Sequence, residues 1–193
     1  GINIVAAHID SPRLDLKQNP LYEDKETELA LLKTHYYGGI KKYHWVNIPL
    51  AIHGRVVLAN GKYVDLCIGE KPGDPVFTVC DLLPHLYRSS QAKRRLPDGI
   101  KGEELNVLVG SMPVNDEKAK RKVKLWVLDH LNKEHGIVEE DFTSAEIEIV
   151  PAGPARDVGF DRSMVGSYGQ DDRICGYTAM AAMLEVSNPK RTS

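Results

Sequence analysis

The strongest chemical signal in this chain comes from two short acidic motifs near opposite ends, His8-Ile9-Asp10 and Gln170-Asp171-Asp172-Arg173. A histidine that closes an apolar run, with an aspartate two residues on, suits a metal ligand and its orienting carboxylate. Asp10 accepting the second ring proton of His8 fixes the tautomer and makes the other nitrogen more basic. The plainer reading is a polar loop pair. Asp171 and Asp172 open an expected helix, where one aspartate serves as a cap stabilised by free backbone N–H groups. A cap accounts for one carboxylate, and the second needs counter-charge from Arg173 or a metal. Imidazole nitrogen and carboxylate oxygen are the donors zinc accepts in catalytic sites, and cobalt or manganese takes them too.

Other candidates carry less. There is no HExxH, and His130 and His135 are spaced off a common helix face. Glu103-Glu104 and Glu139-Glu140 read as solvated charge. His35, His44 and His53 fall in expected sheet regions, where packing explains them, and Cys175 is expected to pack within its helix. Cys67, Cys80 and Cys175 are odd in number and lack CxxC spacing, so neither a disulfide framework nor a thiolate zinc site is indicated, and a reducing, cytoplasmic setting fits best. A net charge of −2 gives no footprint for nucleic acid or anionic membrane. No apolar stretch reaches membrane-spanning length and no signal peptide is seen.

The elements that would position the motifs follow from pattern. Residues 2–7 are a continuous apolar run, expected as a buried strand covered on both faces. Further strands are expected around Leu14 and Leu16, over 29–36, and over 49–59 and 62–68. The last two flank Asn60-Gly61, the signal for a two-residue hairpin turn. Helices are expected over 81–91 and 116–135, the second stopping at Gly136. Strands are expected over 105–109 and 145–150, a long loop over 151–170, and a small-residue helix over 172–186 able to pack closely on a sheet.

The chain of 193 residues is therefore expected to be α/β. Residues 1–17 hold a strand and metal-ligand loop, and 151–193 a loop and helix, of one α/β/α layer. Residues 18–150 form an inserted, mainly antiparallel α+β domain. Both ends read as cuts through a larger protein.

At this point a resemblance covers essentially the whole chain. Ala7-His8-Ile9-Asp10-Ser11-Pro12-Arg13-Leu14 resembles the HTDSP-type metal motif of the M18 metalloaminopeptidases, and Tyr37-Gly38-Gly39-Ile40 resembles their YGGG segment. Pro154 to Asp161, followed by Gly169-Gln170-Asp171-Asp172-Arg173, resembles the bacterial branch most closely. The resemblance implies a dinuclear-zinc peptidase that removes N-terminal residues from peptides. His8 would be a metal ligand and Asp171 the bridging carboxylate. Asp10 would orient His8, and Asp172 would follow a cis peptide. The insertion would carry assembly contacts in a homo-oligomer, a dimer-based dodecamer in the family. His85, in Leu83-Pro84-His85-Leu86, is the closest match to a histidine that reaches a substrate site, although Ser89 stands where the family has a second histidine. The family's general-base glutamate pair and last histidine ligand follow the DDR helix, and neither is found here. Two ligands are offered where zinc needs three or four, so this chain alone is expected to be inactive. The alternative is a non-catalytic oligomerisation or binding module.

Overall fold

A computed structural model describes residues 1–191. They divide into two compact units: residues 13–153, and residues 1–12 together with those from 154 on. The larger unit begins at Arg13 because β1 (Arg13–Glu23) pairs from its first residue with β2 (Ala30–Tyr37), Arg13 facing Tyr37. Residues 13–17 thus lie in a strand of the larger unit.

Seven strands build that sheet. With β3 (Leu50–Val57), β4 (Tyr63–Ile68), β5 (Thr78–Val79), β6 (Val107–Gly110) and β7 (Ala145–Pro151), the order is β4-β3-β7-β1-β2-β6-β5. Every pairing is antiparallel. The central strands supply the core: Leu14, Leu50, Val56, Val107 and Ile149 are fully buried. In β1 the pairing slips between Leu16 and Leu21, around Pro20, which has no N–H for the ladder.

The β3–β4 hairpin forms as the Asn-Gly signal predicts, with a longer turn. Leu58 N–H bonds Lys62 O at 2.8 Å and Gly61 N–H bonds Leu58 O at 2.9 Å. This is a three-residue loop whose glycine takes the left-handed conformation at φ 80. A two-residue type I′ turn would need positive φ at Asn60 as well, and Asn60 is not among the positive-φ residues.

Helix α1 (Pro84–Tyr87) is a single turn, shorter than the expected 81–91, and the chain continues through short 3-10 turns such as Gln91–Lys93. Helix α2 (Lys122–His135) ends at Gly136 in the left-handed conformation, as expected, but starts later than residue 116. Its start is set by a distant side chain: Glu23 accepts the backbone N–H groups of Val123 and Lys124, each at 2.9 Å. Those are orphan donors of a first turn, so the helix begins where Glu23 reaches it.

In the smaller unit the expected buried strand over 2–7 is absent. Only Ile2 carries an isolated bridge, and Ile2, Ile4 and Val5 are exposed. The expected loop over 151–170 contains a short antiparallel hairpin, β8 (Arg156–Val158) with β9 (Met164–Gly166). Helix α3 (Gln170–Glu185) forms, yet none of its residues is buried, Cys175 included. Its Gly176 meets the loop after His8 closely: a Cβ there would lie 2.6 Å from Ile9 Cγ2.

Candidate metal centre

The two acidic motifs lie in the same compact unit, where the loop after the apolar N-terminal run meets the first turn of α3. His8 Nδ1 contacts Asp172 Oδ2 across 164 residues of sequence. The Asp171–Asp172 peptide is cis. Asp171 has φ −87 and ψ 110, outside the helical region. Two further bonds join the segments. Ser11 Oγ donates to the backbone carbonyl of Asp171 at 3.4 Å, and Tyr168 Oη donates to the carbonyl of Pro12 at 2.7 Å. The Arg173 guanidinium stands 5.9 Å from the Tyr168 ring centroid.

Charge at this cluster is unequally shared. Asp171 is held above the usual carboxylate range, first by its hydrogen bond with Asp172 and then by that neighbour's charge. Asp172 is held below the range, first by the bond with Asp171 and also by the one with His8. An Nδ1–H tautomer of His8 would donate to Asp172 and leave the Nε2 lone pair for a metal. The His8 side chain is 71% exposed, which leaves that nitrogen accessible.

This donor set fits zinc in type, since an imidazole nitrogen and adjacent carboxylates that repel one another are what a divalent cation satisfies. The number falls short: among the described residues, no group of three or more His, Cys, Asp or Glu side chains is arranged to hold a metal ion.

The structure therefore brings His8, Asp171 and Asp172 together, with Asp10 in the loop between His8 and Ser11. The carboxylate at His8 Nδ1 comes from Asp172, a partner distant in sequence. His85 lies on α1 in the larger unit and is exposed. Ser11 and Tyr168 were not singled out by sequence reasoning. Ser11 had a signal in its place directly after the HxD motif, whereas nothing in Gly166-Ser167-Tyr168-Gly169 marks a phenol that bonds back to Pro12.

The model of the family described as Aminopeptidase I zinc metalloprotease (M18) matches residues 1–193. The chain belongs to the M18 aminopeptidase family. A probable M18 family aminopeptidase 1 from Clostridium acetobutylicum is 60% identical, with 100% of this chain covering 41% of its length. The crystal structure of an M18-family aminopeptidase from Thermotoga maritima superposes with a TM-score of 0.91 at 54% identity, over 99% of this chain and 41% of that one. A structure of the Saccharomyces mApe1 dodecamer shares the fold, with a TM-score of 0.60 at 18% identity over 96% of this chain and 40% of its own. The chain thus spans about 41% of the length of the curated relatives it matches. Among the described residues, no helix is long and apolar enough to cross a membrane.

Proposed function

We propose that this chain supplies one side of a dinuclear zinc centre in an aminopeptidase that hydrolyses the N-terminal residue of peptides, and that residues outside it complete the site. The observation that carries this reading is the convergence of His8, Asp171 and Asp172. Its accessible Nε2 and paired carboxylates give the right donors in too small a number.

In this reading His8, through Nε2, and Asp171, through its carboxylate, would hold the ions. Asp172 holds the His8 ring in its Nδ1–H tautomer. Asp10, in the same loop, is assigned to support His8. The ions would polarise the scissile carbonyl and lower the pKa of water toward about 7. The chain's own residues place the ligands and hold the proton on His8 Nδ1. General-base proton transfer falls to residues beyond this chain.

Exposure in the smaller unit supports incompleteness. Ile4, Phe160, Ile174, Tyr177, Met180 and Leu184 are all exposed. So large an apolar display on few residues indicates surface that further protein covers. The larger unit, with its own core, is assigned to assembly in a homo-oligomer of the dodecameric kind, and exposed His85 to contact with substrate. Three free cysteines suit a reducing, cytoplasmic location.

Calorimetric titration with zinc tests this. The 193-residue chain is expected to bind no ion at micromolar affinity, whereas a full-length aminopeptidase containing it binds two. Two tight ions on the chain alone would overturn the proposal.

A further inference from the structure

The larger unit contains a cavity of about 260 Å³ between α2 and one face of the sheet. Its walls include Leu16, Ile52, Leu66, Phe77, Trp126 and His130, and no carboxylate, ammonium or guanidinium group lines it. Protein interiors rarely leave voids larger than a water. An apolar void of about 150 Å³ stays dry and takes up benzene. This one has room for a somewhat larger guest.

The gap is built into the packing rather than left by a loosely seated helix. On one side α2 already rests on β6 as closely as it can: a Cβ on Gly110 would lie 2.8 Å from Val127 Cγ2. At its start the helix is pinned by the two bonds to Glu23 and by the Lys124–Glu139 ion pair. Past its end the chain is held by buried Ile137. The Phe77 wall is fixed to β3 by paired backbone bonds with Leu50, at 2.8 and 2.9 Å. Closing the gap would break several of these together.

Trp126 and His130, both on the cavity lining, stack on one another with centroids 5.4 Å apart and planes 7° apart. His130 is exposed at the edge, and His135 is the other polar side chain of the lining besides the Trp126 indole. We propose that this cavity binds a neutral, flat aromatic molecule of one or two rings beside the stacked Trp126 and His130, its single polar group reaching an imidazole. Cations and zwitterions are excluded, because no carboxylate lines the cavity to pair a buried ammonium.

The test uses 4-bromophenol with the native protein. The bromine quenches nearby tryptophan emission and marks its own position by anomalous diffraction. Saturable quenching with a Kd on the order of 0.1 mM is expected, with the bromine peak between α2 and the sheet. Trp126→Phe should remove the quenching, since Trp45 is buried elsewhere. Val109→Phe, which fills the cavity, should weaken binding at least tenfold. Should that variant fail to fold, His130→Ala at the exposed edge should weaken binding about threefold with an unchanged melting temperature. Free tyrosine, the same ring carrying two charges, should not bind at 5 mM. Quenching that stays linear, a bromine peak elsewhere, equal binding of tyrosine, or a cavity filled by a segment of a second copy would each overturn the proposal.

Discussion

Tyr168 donates its phenolic hydrogen to the carbonyl of Pro12 at 2.7 Å, fastening the loop that follows His8 to the segment that leads into Asp171. A neutral hydrogen bond of this kind contributes about 1 kcal/mol. Replacing Tyr168 by Phe should therefore leave the fold intact and lower kcat/KM and zinc affinity of the full-length enzyme roughly fivefold. Steady-state kinetics beside zinc titration would check it, and unchanged values in both would show that the tie positions nothing.

The proposed ligands should separate from the residue that orients them. His8→Ala and Asp171→Asn remove donors and should abolish metal retention and peptidase activity. Asp172→Asn keeps the shape but weakens the grip on His8 Nδ1, and should cost about 10- to 100-fold in activity or metal affinity. Metal content after dialysis, compared with kcat for each variant, distinguishes the two classes.

Much of this architecture can be read in the residues, and the exceptions share a cause. Asn60-Gly61 announces the β3–β4 hairpin, and Gly136 ends α2, because a turn and a C-cap are chosen by the residues within them. The start of α2 is hidden because its cap is Glu23, about 100 residues earlier. The apolar run over 2–7 reads as a buried strand because composition reports what a segment needs. Whether a neighbouring strand is there to pair with it is outside the segment itself. At the candidate site, residue types picked out His8, Asp171 and Asp172, while the His8–Asp172 contact and the Tyr168 bond exist only once distant segments meet.

Glu23 makes a stability prediction of its own. It satisfies two N–H groups at the start of α2, at 2.9 Å each. Glu23→Ala should cost about 0.5–2 kcal/mol, the range for a lost cap, and lower the melting temperature by a few degrees. Thermal unfolding followed by circular dichroism would show it, and an unchanged midpoint would mean water replaces the carboxylate without loss.

The Arg94–Glu104 pair gives a pH dependence. Burial alone would raise the Glu104 pKa, but the Arg94 guanidinium at 2.7 Å and the Lys101 N–H at 2.9 Å outweigh it and hold the pKa below 4.5. A carboxylate depressed on folding adds stability above its unfolded pKa, and that contribution is lost as pH falls through the folded value. Stability should thus decline below about pH 4.5, and Glu104→Gln should flatten that part of the curve. Urea midpoints measured through the acid range would reveal a slope that does not change if the pair is inert.

The assignment of His8 and Asp171 as ligands is tested most directly by anomalous diffraction at the zinc edge, from crystals of a full-length aminopeptidase containing this chain. Two zinc peaks are expected, one about 2.0–2.1 Å from His8 Nε2 and both about 2.0–2.2 Å from the Asp171 carboxylate oxygens, with His8 Nδ1 still held by Asp172. Zinc peaks bound without His8 or Asp171 would contradict it.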